Sequence, residues 1–383
     1  LVKKHAKHFN QRNLLQNLVD IQNNELRCLD GDFSRNSSGS KFIDVTHPYS
    51  HDLDIFGEGS LFQYLNRAET SEGKKAVAGR LSAKPGALED VRRWQEAVDD
   101  LAARPRLRQQ IQALSMQVEE DPSDRAQLHQ WLSEPAFVFG KKSYKLILTV
   151  FPLITVVLIV LSFFLDGAGT FAILAAGVQW AFLGFHLKRV NKFHQYVSRK
   201  KNTLGKYALI LEAIRTEEYG SPLMTAIRER AQNAGDRLGR LASLVGALDA
   251  RLNSMTNLFV NSILLYDLQC VYRLEQWKEE NAEHLIGLLD TVGEMEALCS
   301  FGTFAYNHPE FKRATVNDEG ILTATGLGHP LLSTSDRVVN DVSLDRQASV
   351  MIITGANMAG KSTFLRALGV NVVLALAGCP VCA

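Results

Sequence analysis

Eight residues near the end of the chain could do chemistry as a set: Gly355, Ala356, Asn357, Met358, Ala359, Gly360, Lys361 and Ser362, with Thr363 following. Their order is G-x-x-x-x-G-K-[ST], which suits a triphosphate. The glycines let the backbone wrap close to an anion, so that successive N–H groups converge on phosphate oxygens. Lys361 would reach the β- and γ-phosphates as a point charge, and the Ser362 hydroxyl would ligate Mg²⁺. A helix beginning near Ser362 would aim its positive end at the same oxygens. No guanine-reading motif accompanies the loop, so ATP is the expected nucleotide.

Such a loop needs a strand before it and a helix after it. "SVMIIT" (349–354) predicts a buried strand, and "STFLRALGVNVVLALAG" (362–378) predicts a helix. About twenty residues follow Lys361, too few to supply the second Mg²⁺ carboxylate and the group that orients the attacking water. The phosphate-loop α/β domain is therefore expected to be cut, the chain to be a piece lacking both ends, and its own ATP turnover to be slow.

The rest of the 383 residues reads mainly as helix. Residues 1–140 predict a helical N-terminal region and the first part of a helical core. The first helix stops at a Gly-Asp turn, and "FSRNSSGSKF" forms a loop. Leu61, Leu65, Ala76 and Leu81 are placed on buried faces, with Ser71-Glu72-Gly73 breaking the run. Trp94, Val98 and Leu101 share one side of a later helix. Residues 202–311 predict long leucine-rich helices that end at "NHPEFK", because the residue before Pro309 disfavours helix. Residues 312–383 switch to β-branched segments and turns before the phosphate loop.

Between the helical blocks, residues 141–201 change character. Leu146–Leu165 is 20 residues without a charge, enough for a helix of ~30 Å, the thickness of a bilayer core. After "DGAGT", Phe171–Leu187 carries only Gln179 and His186 as strongly polar side chains. Two spans and a short loop predict a membrane hairpin; the alternative is a hairpin buried inside a soluble protein. Lys141, Lys142 and Lys145 precede the first span, and Lys188, Arg189, Lys192, Arg199, Lys200 and Lys201 follow the second, while the connecting loop holds only Asp166. The positive-inside rule then puts both flanks, and the phosphate loop, on the cytoplasmic side of the cytoplasmic membrane. The basic run 188–201 could instead face nucleic acid; beside a span, membrane anchoring is the expectation.

Bulk properties decide less. The 42 Lys+Arg against 41 Asp+Glu give no global field for an acidic partner, although a local basic face can hide in a neutral total. Five scattered cysteines make no disulfide framework, and free thiols suit a reducing compartment. Cys379-Pro-Val-Cys382 is a CxxC without two further ligands at zinc spacing, so small residues on a strand after the helix are the expected reading.

"TGANMAGKST" (354–363) resembles the extended phosphate loop of the MutS family, TG-x-NM-x-GKST. "GHPLL" (328–332) and "VVNDVSL" (338–344) resemble that family's lead-in to its ATPase domain. "SLFQYLNRAETSEGKKAVAGRL" (60–81) and "LDTVGEMEALCSFGTFAYNHPEF" (289–311) are similar to the start and last helix of its helical core. The resemblance implies that Gly355 to Thr363 cradle ATP phosphates, with Asn357 near the γ-phosphate and the stretch around His329, Val338 and Val339 near adenine. It implies homodimerisation through the ATPase domains and an ATP-driven movement of helical levers that clamp duplex DNA. The family's mismatch-reading module and DNA-clamping insertion have no counterpart here, and a membrane hairpin sits roughly where the insertion would be. The fold expected is thus a MutS-like helical core and lever with an inserted transmembrane hairpin, then the first half of a phosphate-loop α/β domain. Two functions follow: a membrane-anchored, ATP-dependent DNA-binding or mismatch-repair-type ATPase, or a membrane ATPase that moves its lever against a protein or lipid partner without DNA.

Overall fold

The structure is a computed structural model, and it describes all residues except 1, 85, 122–123, 199–200, 250, 252–253, 345–349 and 357–359. It is mostly helical, with few strands. The chain divides into two compact units, residues 1–118, 210–232 and 288–383 in one, and 119–209 and 233–287 in the other.

In the first unit, helix α1 (Val2–Leu29) ends at Gly31, whose φ of 88° turns the chain. After a 3₁₀ turn at Ser40–Phe42 come α2 (Leu61–Leu65), α3 (Ser71–Leu81), α4 (Leu88–Ala102) and α5 (Pro105–Ser115). Leu61, Leu65 and Leu81 are buried as expected, but the face of α3 is carried by Val77 and Ala78, with Ala76 only half-buried. Ser71-Glu72-Gly73 does not break the run; it is the first turn of α3. The Thr70 hydroxyl accepts the Gly73 N–H there, and Glu72 sits where the helix dipole favours an acid. Trp94, Val98 and Leu101 of α4 are buried, with Trp94 against Phe301 at 6.1 Å between ring centroids.

Also in this unit are α10 (Pro222–Ala231) and the C-terminal part of α13 (Tyr266–Asn307), which ends just before His308-Pro309. The carboxylate of Glu296 on α13 is buried and accepts from the Glu69 N–H at 2.9 Å, the Thr70 N–H at 3.3 Å and the Thr70 hydroxyl. Burial pushes its pKa up and these donors pull it back, with burial the larger influence. The carboxylate thus fixes the turn into α3.

Strands β1 (Leu322–Leu327) and β2 (Asn340–Leu344) form an antiparallel pair, with Leu322 opposite Leu344. They are the only strands among the described residues. The strand expected at 349–354 is corrected: residues 350–354 form no strand and no helix, Val350 is 78% exposed and Ile352 83%, and Ser349 lies outside the described residues. A parallel strand draws its ladder bonds from neighbours, and no described strand lies beside this one. The phosphate-loop half therefore does not assemble here as a layered α/β domain, although its helix, α14 (Lys361–Ala377), does form.

The second unit holds α6 (Asp124–Ser133), α7 (Lys142–Leu161), α8 (Ala168–Ser198), α11 (Ala234–Asp249) and α12 (Ser254–Leu264), with adjoining parts of α9 (Lys201–Thr216) and α13. The long leucine-rich stretch is divided between several helices. Leu265 takes φ 48°, and the Asn261 side chain accepts the Asp267 N–H at 2.9 Å, so α12 and α13 are separate.

Helices α7 and α8 pack side by side, and both are long and apolar enough to cross a membrane. Their outer faces are bare, with Phe163 80%, Phe164 78% and Phe185 87% exposed. Polar groups turn inward: buried Gln179 donates to Thr155 Oγ1 at 2.5 Å, and Trp180 donates to Ser262 on α12 at 2.7 Å. At the basic end, Tyr144 bonds His186 Nε2 at 2.8 Å, and His186 Nδ1 bonds the Phe182 carbonyl at 2.9 Å. Within the hairpin the buried polar side chains are thus hydrogen-bonded to neighbouring helices, while large apolar side chains stand exposed.

Candidate functional site

The phosphate loop opens on Gly355 at φ 156° and closes on Gly360 at φ 83°, ψ 6°. Both conformations are costly for a side chain, and Gly360 is the residue that turns the loop into α14. The first intrahelical bond runs from the Phe364 N–H to the Gly360 carbonyl at 2.9 Å. The amides of Lys361, Ser362 and Thr363 precede any intrahelical acceptor, and no acidic residue occupies the first turn. Ser362 and Thr363, in this first turn, are exposed.

Lys361 folds back over the loop. Its ammonium donates to the Gly355 carbonyl and to the Ala356 carbonyl, the second at 2.7 Å. These bonds hold the ammonium beside Gly355 and Ala356, at the entry to the loop. Ala356 is exposed, and Asn357, Met358 and Ala359 lie outside the described residues.

The far end of α14 is fixed by groups that periodicity does not reveal. Asn371, buried on the apolar side, donates to the Gly328 carbonyl at 2.9 Å and accepts the Cys382 N–H at 2.7 Å. Gly328 in turn donates to the Cys382 carbonyl at 2.9 Å, so "GHPLL" is tied to both α14 and the segment after it. Lys312 and Val381 exchange backbone bonds at 3.0 and 2.8 Å. Arg80 of α3 donates to the carbonyls of Leu376 and Ala377, each at 3.2 Å, and stacks on Trp94 at 4.4 Å. A cation at a helix C-terminus complements the macrodipole. Gly378, φ 91°, ends the helix so close to α4 that an added Cβ would lie 2.7 Å from the Trp94 Cβ. Replacing Asn371 with alanine is expected to cost about 1–2 kcal/mol, by orphaning a buried N–H and carbonyl. A denaturant midpoint unchanged from the parent protein would refute this.

His329 is half-buried, and its Nδ1 accepts the Leu331 N–H at 3.3 Å. Burial, then the positive charges of Arg366 and Arg337, lowers its pKa below the ordinary 6.5, which favours the neutral ring. Val338 and Val339 are exposed. Cys379 and Cys382 are buried free thiols whose pKa values burial raises. They sit in a short segment with one bridge at Val381 rather than on a named strand.

Taken together, the described ends of the loop are exposed and lead into a helix whose far end is anchored. No family model matches the chain. Among curated proteins it is similar to the DNA mismatch repair protein MutS of Leuconostoc mesenteroides, 36% identical over 102 residues, which is 26% of this chain and 12% of that protein. The protein of the same name from Listeria monocytogenes is 32% identical over 118 residues, 30% of this chain and 14% of the relative. DNA mismatch repair protein MutS 2 of Halobacterium salinarum is 37% identical over 102 residues, covering 26% and 12%. The similarity therefore spans under a third of this chain and roughly an eighth of each relative's length.

Proposed function

We propose that the chain carries the nucleotide-binding loop of a MutS-like, ATP-driven switch held in the cytoplasmic membrane by residues 146–187. The observation that carries the nucleotide reading is the exposed N-terminus of α14, with Lys361 poised over the Gly355 and Ala356 carbonyls. In this reading Gly355 to Thr363 surround the phosphates of ATP, Ser362 ligates Mg²⁺, and paired copies of the completed ATPase domain close on nucleotide. The relatives named as DNA mismatch repair proteins support duplex DNA as the object moved.

A second reading keeps the ATP cycle and replaces DNA with a protein or lipid partner. The bare apolar faces of α7 and α8 favour it, since a bilayer anchor prevents free travel along DNA. Fluorescence anisotropy with labelled duplex, across a salt series and with MgATP present, separates the two. DNA binding through phosphates predicts affinity that falls linearly in log–log form with salt. No binding in low salt would sink the DNA reading and leave the second.

A further inference from the structure

The second unit carries a half-open cavity of about 440 Å³ at the basic end of the hairpin, between the turn 134–139 and helix α8. Its wall is rigidly built. Glu275 of α13 accepts the N–H groups of Phe137, Val138 and Phe139 at 2.9, 2.9 and 2.8 Å. Buried Lys278, one turn on, donates to the carbonyls of Trp131 and Glu134. Both ends of the turn are thus pinned to one helix, and the Phe137 ring is stacked on His186 with centroids 6.2 Å apart. His186 lies one residue from the end of the apolar run, which puts the cavity at the level where the hairpin would leave hydrocarbon.

Its cations are unequally engaged. Lys192 pairs with Glu134 at 2.8 Å, and Lys278 is spent on carbonyls. Arg189 lies over the Phe137 ring at 5.7 Å and Lys141 over the Tyr144 ring at 5.5 Å; both are exposed, and neither has a carboxylate partner among the described residues. The Glu275 carboxylate is satisfied by three amides and leaves those two charges uncompensated.

We propose that this cavity binds the phosphate headgroup of an anionic membrane lipid, with Arg189 and Lys141 as its ligands and the aromatic walls flanking the glycerol and first acyl carbons. The site rests on the reading that the hairpin lies in a bilayer. A fixed guanidinium and a neighbouring ammonium at the hydrocarbon boundary match a phosphodiester, and the stacked Phe137 holds Arg189 with little entropy to lose.

The test reconstitutes the whole chain in nanodiscs of phosphatidylcholine, with or without phosphatidylglycerol, and counts retained lipids by native mass spectrometry. The parent protein should retain phosphatidylglycerol over phosphatidylcholine. The double variant Lys141→Gln/Arg189→Gln should lose that preference by on the order of 30-fold, from two interfacial charges. Arg189→Lys should keep much of it. Equal phosphatidylglycerol retention by the parent and the double variant would overturn the site. Soluble glycerol phosphate is the second probe: if it binds the lipid-free protein as tightly as phosphatidylglycerol does, the ligand is a free phosphate and the lipid assignment falls. Failure to enter phosphatidylcholine nanodiscs at all would overturn the membrane reading and this site with it. Entry without a preference would overturn the site alone.

Discussion

Arginine at both Leu153 and Val157 is expected to abolish stable membrane insertion while leaving the helices able to fold. The two side chains lie one turn apart near the middle of α7, and both are exposed. A charged side chain at the centre of a span costs about 2.5–3.5 kcal/mol on insertion-based scales, so the pair would cost about 5–7 kcal/mol. In water the same exposed positions would change stability by about 0.5 kcal/mol or less each. The experiment therefore separates the two hairpin readings by sign as well as size. Carbonate-resistant membrane association should disappear in the double variant, and a Leu153→Ala/Val157→Ala control should keep it. If the double arginine variant stays in the membrane fraction, or if the parent is extracted as a soluble monomer, the hairpin is not a transmembrane element.

Helix existence was legible wherever one face differs from the other. Trp94, Val98 and Leu101 mark α4 by spacing alone, and all are buried. The uncharged run at 146–165 marks α7, because no pattern of surface charge competes with it. What escaped the sequence depends on partners far along the chain. The Glu275 carboxylate serves amides 136 to 138 positions away, and Glu296 caps a turn 226 positions away. Neither glutamate differs from a surface acid by type or spacing. The break at Leu265 is likewise hidden, since leucine is a good helix former and only the Asn261 contact shows why the chain turns. The segment 349–354 fails for the opposite reason. Its residue types suit a buried strand, but a strand is completed by its neighbours, and composition cannot supply them.

The site divides along the same line. Lys361 and the two loop glycines are recognisable because their roles are local: a positive φ, a short reach, an open helix end. Asn371 and Arg80 are not, because each acts by meeting carbonyls from another part of the chain. These distant contacts hold α14 in place, and the loop's aim follows from the helix.

Replacing Lys361 with alanine is expected to weaken MgATP binding on the order of 100-fold, or about 2.7 kcal/mol. The ammonium already lies over the cradle, bonded to the Gly355 and Ala356 carbonyls, so little reorganisation is needed for it to meet phosphate. Its removal would take away the charge expected nearest the phosphate oxygens and leave the Gly355 and Ala356 carbonyls without this donor. The helix amides would remain, which is why binding should fall rather than vanish. Arginine at the same position should restore only part of the affinity, because a planar fork does not fit where a compact ammonium sits. Isothermal titration of the parent, Lys361→Ala and Lys361→Arg proteins with MgATP reads all three. Helix content measured by circular dichroism should be the same in each, since Lys361 is at the first position of α14 and is not one of its buried residues. Unchanged affinity in the alanine variant would mean that the cradle does not hold a triphosphate, and the nucleotide-driven switch would have to be abandoned.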